Sequence, residues 1–150
     1  MRRPRIIDEM KVALGSDERT LLTDALADDL RARGHDVILV GPPAGEDSQW
    51  AEVGHKVGGL VATGEADTAV LCCWTGTGAS IAANKVTGVR AALCTDADTA
   101  EGARKWNDAN VLVLSLRLTS PPVASEMLDR WFATEADPSE AANVARLEEA

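Results

Sequence analysis

The chain has 150 residues, 45% of them apolar, and a formal net charge of −9 at pH 7. This length suits one domain, and the negative charge argues against nucleic acid and anionic membranes as partners, because both attract basic surfaces. No apolar run approaches the ~20 residues that a membrane-spanning helix needs. The three cysteines, Cys72, Cys73 and Cys94, include no Cys-x-x-Cys pair, which favours a reducing cytoplasm.

Strand-like and helix-like patterns alternate after residues 1–10, which are interpreted as an N-terminal extension; disorder is one interpretation of it. The alternation predicts βαβ units in a single domain over residues 11–150. Five strands are predicted, at 11–16, 36–40, 68–73, 90–94 and 111–115. Helices are predicted at 21–33, 50–63, 79–85, 97–106, 121–134 and 139–149. We therefore expect an α/β fold with a doubly wound parallel sheet, helices on both faces and a C-terminal helix.

Ligands of such sheets bind beyond the carboxyl ends of the strands. By that rule the candidate positions are residues 16–19, 73–78, 95–96 and 116–117. An anionic ligand would need a local basic pocket there, working against the overall negative field.

The segment Cys73-Trp74-Thr75-Gly76-Thr77-Gly78 leads from a predicted strand into a predicted helix. Free backbone N–H groups and the helix dipole at such a turn form an anion hole, and they favour a cysteine thiolate at its mouth. This combination suits proton abstraction next to a carbonyl, because the developing enolate oxygen needs hydrogen-bond donors. A tight turn with a buried structural cysteine is the simpler alternative. A dinucleotide fingerprint is disfavoured because its third glycine is missing, and a P-loop is excluded because no Gly-Lys-Ser/Thr follows.

Six segments along the chain carry a family resemblance: 11–17 (KVALGSD), 64–67 (GEAD), 75–78 (TGTG), 80–85 (SIAANK), 89–94 (VRAALC) and 107–111 (NDANV). Together they resemble the family of ribose-5-phosphate isomerase B and galactose-6-phosphate isomerase. The resemblance implies a Rossmann-like five-stranded sheet and a homodimer, or a dimer of dimers, with active sites shared between subunits. It also implies that aldose and ketose phosphates interconvert through a cis-enediolate, with no metal and no cofactor.

The same resemblance implies roles for individual residues. Cys73 would move the proton between C1 and C2, assisted by Thr75. The backbone of Gly76, Thr77 and Gly78 would hold the enediolate oxygen. Asp17 would bind substrate hydroxyls, and Asn107 would lie near the same oxygens.

Several positions depart from the family pattern. Glu18 replaces a phosphate-side histidine, and Trp106 replaces the histidine that opens the furanose ring. Trp74 replaces a glycine, while Trp50 aligns with an aromatic residue that is usually tyrosine. The family binds phosphate with arginines in its C-terminal tail, and in this chain only Arg146 loosely matches one of them.

These exchanges weaken a phosphate site, because Glu18 would repel a dianion, and they add flat apolar surface on which a ring could stack. Trp74 and Trp106 are therefore candidate substrate-binding residues, although Trp106 also fits a packing role. Arg19 and Arg117 are candidate anion ligands, although Arg19 also fits a solvated surface and Arg117 a subunit contact.

Three functions remain open on the sequence. The first is an isomerase of a non-standard substrate: a short or open-chain sugar phosphate, or a sugar without phosphate. The second is ribose-5-phosphate isomerase itself, with another group replacing the ring-opening histidine. The third is a noncatalytic relative that binds a ligand or a protein partner.

Overall fold

The computed structural model describes residues 9–149, so residues 1–8 of the predicted extension lie outside it. Its centre is a sheet of five strands: β1 (Lys11–Ser16), β2 (Asp36–Val40), β3 (Thr68–Cys73), β4 (Ala91–Leu93) and β5 (Val111–Ser115). All neighbouring strands pair in parallel, in the order β2-β1-β3-β5-β4. The predicted parallel α/β sheet is confirmed. Strand β4 is one residue shorter at each end than predicted, and at its start the amide of Arg90 donates to the side chain of Asn110 (2.7 Å).

Within residues 9–149, six α-helices connect and flank the strands: α1 (Leu21–Ala32), α2 (Trp50–Ala62), α3 (Thr77–Asn84), α4 (Ala97–Asn107), α5 (Pro121–Ala133) and α6 (Ala141–Leu147). Thr20, Asp96 and Ser120 cap α1, α4 and α5 with side-chain oxygens, which explains where these helices begin. The predicted C-terminal helix is divided, since Pro138–Glu140 forms a 3-10 turn before α6. None of the helices within residues 9–149 has both the length and the apolar character to cross a bilayer.

The hydrophobic core has two parts, one on each face of the sheet. Leu26 of α1 and Met127 and Leu128 of α5 belong to the first, and Val53 and Val57 of α2 belong to the second. Every residue of β3 and β5 is buried, as expected for central strands that are covered on both faces.

Two glycines of α2 allow α3 to pack against it at close range. A Cβ atom on Gly54 would lie 2.7 Å from Cβ of Ala82 and 2.9 Å from the carbonyl oxygen of Ala79. A Cβ atom on Gly58 would lie 3.0 Å from Cγ2 of Val86. Gly54 and Gly58 lower the intrinsic helix propensity of α2, but their lack of a side chain allows the close contact with α3.

Candidate active site

The order of the strands brings the ends of β1, β3 and β5 together at the carboxyl edge of the sheet. Ser16 pairs with Cys72 across β1 and β3, and Cys73 pairs with Ser115 across β3 and β5. Asp17, Cys73 and the loop after Ser115 therefore follow three adjacent strands. Cys72 and Cys73 face opposite sides of the sheet and belong to different halves of the core, so only Cys73 shares its face with α3.

The turn after Cys73 depends on a glycine with left-handed backbone geometry. Gly76 has φ of 80°, and a Cβ atom there would lie 2.5 Å from Cδ1 of Leu93 and 3.2 Å from the carbonyl oxygen of Leu114. This turn lets α3 begin at Thr77, two residues earlier than the sequence predicts. Cys73 is 5% exposed and precedes the helix N-terminus by four residues.

The first turn of α3 supplies the donors for an anion. A helix leaves its first amides without intrahelical acceptors. The amide of Thr77 donates to Oγ1 of Thr75 (3.4 Å), and the two threonine hydroxyls lie 2.8 Å apart. Helical geometry also leaves the amides of Gly76, Gly78 and Ala79 without intrahelical acceptors, so these amides are the candidate donors to a ligand.

Two tryptophans stand beside this turn. The indole of Trp50 covers Gly78, since a Cβ atom on Gly78 would lie 2.8 Å from Cε3 of that ring. Trp74 has 57% of its surface exposed. The main chain of Trp74 is fixed, because its carbonyl oxygen accepts from Oγ of Ser115 (2.9 Å) and from the amide of Arg117 (3.1 Å). Ser115 ends the otherwise apolar strand VLVLS, and a polar residue at that place is the signal by which its role could have been found from the sequence.

Two carboxylates follow β1. Oδ1 of Asp17 is buried and lacks a hydrogen-bond partner among residues 9–149. Burial raises the pKa of Asp17, and the neighbouring charge of Glu18 raises it further. Oγ of Ser16 fixes the loop by accepting from the amide of Glu18 (3.1 Å). A ligand hydroxyl at this place would satisfy the free oxygen of Asp17.

The two arginines near this edge differ in whether another side chain already pairs with their charge. Nε of Arg19 lies 2.9 Å from Oδ1 of Asp24, so its charge is already shared on the surface. Arg117 is exposed and makes no ion pair with any residue in the range 9–149. Arg117 is therefore the more available cation for an anionic ligand.

Three residues from the predicted site do not follow the strand ends that carry Cys73. Helix α4 packs on the face of the sheet opposite Cys73, and Trp106 and Asn107 at its end line a groove with Leu93 and Cys94 beside the edge strand β4. Arg146 is two residues before Glu148, whose carboxylate accepts from Arg90 (2.6 Å) just before β4. Asp17, residues 73–78 and Arg117 lie at the ends of the adjacent strands β1, β3 and β5, whereas these three residues belong to other elements.

No metal centre is evident at this edge. Within residues 9–149, no group of three or more His, Cys, Asp or Glu side chains is placed to hold a metal ion.

A parallel five-stranded sheet with helices on both faces and polar groups at its carboxyl edge defines the class of Rossmann-like α/β proteins that bind ligands beyond the ends of their strands. Comparison with known proteins identifies the family within that class. Residues 12–149 match the family model described as Ribose/Galactose Isomerase. The chain belongs to this family, and it is a sugar-phosphate isomerase of the aldose–ketose type.

Individual relatives agree with this assignment. The chain is 34% identical to the D-erythrulose-4-phosphate isomerase of Pectobacterium atrosepticum over 128 residues, which cover 84% of each protein. It is 36% identical to the ribose-5-phosphate isomerase B of Escherichia coli over 123 residues, 81% of this chain and 83% of that one. The solved structure of the Clostridium thermocellum ribose-5-phosphate isomerase B matches with a TM-score of 0.87 and 39% identity, covering 93% of this chain and 96% of that chain.

Proposed function

We propose that this isomerase acts on a short, open-chain sugar phosphate of the four-carbon class to which D-erythrulose 4-phosphate belongs. The observation that carries the proposal is the site itself. The thiol and the anion hole remain at the turn after β3, while Trp106 stands at the position of the family's ring-opening histidine. A ketotetrose with phosphate on C4 has no hydroxyl placed to close a five-membered ring, so it needs no ring opening. The Pectobacterium relative, which carries the name of such an isomerase, supports this choice.

The proposed reaction moves one proton between neighbouring carbons. The thiolate of Cys73 takes the proton from the carbon next to the carbonyl, and the electron pair forms a cis-enediolate. The amides at the start of α3 hold the oxyanion, and the hydroxyl of Thr75 passes a proton between the two adjacent oxygens. The Cys73 thiol then returns its proton to the other carbon. Asp17 binds a substrate hydroxyl with its free oxygen.

We further propose that a second copy of the chain completes the site. Trp106, Asn107 and Arg146 would then reach the substrate from a partner subunit, in a homodimer or a dimer of dimers.

Arg117 and Arg146 are the proposed phosphate ligands, and Arg19 contributes when Asp24 releases it. The flat surfaces of Trp74 and Trp106 close the space that a longer sugar would occupy.

The proposed location is the reducing cytoplasm, which fits the three free buried cysteines.

One observation favours a second candidate function, in which the protein binds a ligand without converting it. Glu18 stands where the family places a phosphate-side histidine, next to the carboxyl group of Asp17 on which its charge acts, and two acidic residues oppose a dianion at that end of the site. A protein that only binds a ligand would not need the Cys73 thiolate.

Replacing Cys73 with alanine separates these possibilities, and Cys72 provides a matched control. We expect Cys73→Ala to lower the turnover of a tetrulose 4-phosphate by about 10²–10⁴-fold, as loss of a general base does. Cys72→Ala should keep turnover within about threefold, because Cys72 faces the other half of the core. Equal turnover by both variants would contradict the proposed chemistry, and absence of turnover in the unsubstituted protein would favour the noncatalytic role.

A further inference from the structure

We propose that Asp108 is a positioning residue that holds Asn107 in place for the reaction. The inference rests on the proposed function, in which Asn107 reaches a partner subunit's substrate. It concerns a cluster at the amino edge of the sheet, formed by Arg90, Arg104, Asp108 and Glu148, which we call the Asp108 cluster.

The backbone of Asp108 is unusual for its residue type. Asp108 caps the C-terminus of α4 with φ of 46°, and it is the one non-glycine residue with positive φ among residues 9–149. Glycine or asparagine would be the ordinary choice at a left-handed helix cap. An aspartate at this position is explained by what its carboxylate contacts.

Both carboxylate oxygens of Asp108 meet arginines. Oδ1 accepts from Nη1 of Arg104 (3.0 Å), and Oδ2 lies 3.4 Å from Nη2 of Arg90. Nε of Arg90 also donates to the carbonyl oxygen of Asp108 (2.7 Å). The two arginine side chains are about one-fifth exposed, so these charge-assisted bonds are partly shielded from solvent.

The two arginines extend the cluster to other elements. Nη1 of Arg90 donates to Oε1 of Glu148 (2.6 Å), beyond the end of α6. Arg104 donates to the carbonyl oxygens of Ala109 (2.6 Å) and Thr134 (3.3 Å), and its guanidinium lies 5.6 Å from the ring of Trp131. Through these two arginines, the Asp108 carboxylate at the end of α4 is connected to the start of β4, the end of α5 and the tail that carries Arg146.

Asn107 depends on this support because its side chain has none of its own. The exposed Asn107 side chain forms no hydrogen bond with any residue in the range 9–149. Its orientation is therefore set by the backbone at the end of α4, where the next residue is Asp108. If the Asp108 cluster were loosened, Asn107 would sample more orientations and meet the enediolate oxygens less often.

The test is a double-substitution cycle between Asp108 and Asn107, measured as isomerase kinetics. Asp108→Asn keeps the size of the side chain and tolerates the left-handed backbone, but it lacks the charge that the two arginines share. We expect it to lower kcat about tenfold with little change in KM, as Asn107→Ala should, because both affect contacts made in the transition state. In the Asn107→Ala background, Asp108→Asn should cause no further loss, because the residue that it positions is gone.

Asp129→Asn is the control, because Asp129 also pairs with a partly buried arginine, Arg33 (2.8 Å), on another side of the molecule. It should lower the melting temperature, because Arg33 loses one of its two carboxylate partners, while leaving kcat unchanged. If the losses from Asp108→Asn and Asn107→Ala multiply, the positioning inference is overturned and the proposed function stands. If Asn107→Ala leaves turnover unchanged, the proposed role of Asn107 and the inference built on it are both overturned.

Discussion

Asp17 directly follows β1, and its Oδ1 atom is buried without a hydrogen-bond partner among residues 9–149. Glu18 adds a second negative charge next to it, and burial together with this charge raises the pKa of Asp17. Such a group opposes folding, because a buried oxygen loses its hydration and receives no bond in return. Its presence at the carboxyl edge is explained if a substrate hydroxyl supplies the missing bond, and strain of this kind is common where proteins act on ligands.

Asp17→Asn should therefore stabilise the protein while it weakens catalysis. We expect the melting temperature at pH 7 to rise by about 2 °C and turnover to fall at least tenfold. An acid whose pKa is raised by folding costs stability above its unfolded pKa, and that cost disappears as the pH falls toward 3.8 and the carboxyl is protonated in both states. The stability gain should accordingly shrink from pH 7 toward pH 4 in thermal denaturation. A lower melting temperature with full turnover would refute this account of Asp17.

At the scale of elements, the contact between α2 and α3 links stability to the anion hole. Gly54 and Gly58 bring the two helices close, and Trp50 at the start of α2 covers Gly78 in the first turn of α3. A change in the distance between these helices would therefore shift the donors that hold the oxyanion.

Two alanine substitutions on α2 test this link. Gly54→Ala should destabilise the fold by about 1–3 kcal/mol, because the added Cβ would lie 2.7 Å from Ala82, and it should also lower kcat. Gly59→Ala is the control, since nothing lies within 4 Å of its added Cβ. Replacing a helical glycine there should stabilise the protein by about 0.5–1 kcal/mol with kcat unchanged. Chemical denaturation and steady-state kinetics measure both effects, and similar results for the two variants would disprove the link.

The alternating patterns were enough to predict all five strands and their helices, because buried strands and amphipathic helices differ in the period of their apolar residues. The start of α3 was not predictable in this way. It depends on the left-handed geometry of Gly76 next to Leu93 and Leu114, a tertiary contact between segments far apart in the sequence. The role of Gly54 was not predictable either, because helix propensity says only that a glycine destabilises a helix and says nothing about its contact with α3.

The candidate site was predictable where its residues follow adjacent strands, as Asp17 and Cys73 do. The positions of Trp106, Asn107 and Arg146 were not predictable from motif order, which carries no information about the face of the sheet that a helix covers. Helix α4 covers the face opposite Cys73, and the shared site that the family resemblance implies stays a prediction.

At the scale of the whole molecule, a site shared between two chains predicts complementation. Cys73→Ala should be nearly inactive alone, and Asn107→Ala should keep about a tenth of the activity of the unsubstituted protein. If the two variants are unfolded together and refolded, random pairing makes half of the dimers hybrids, and each hybrid has one site with both residues intact. We expect recovery of about a quarter of the activity of the unsubstituted protein. A mixture no more active than its components would show that Cys73 and Asn107 do not serve one site across two chains.

The ratio of kcat/KM for D-erythrulose 4-phosphate to that for ribose 5-phosphate tests whether the substrate of this isomerase is a four-carbon sugar phosphate. The four-carbon substrate needs no ring opening, whereas the five-carbon substrate needs the step for which this chain has Trp106 in place of a histidine. We predict a ratio above about 100, in the range that loss of one acid–base group produces. A ratio near or below one, with ribose 5-phosphate turned over efficiently, would contradict the account and show that another group opens the ring.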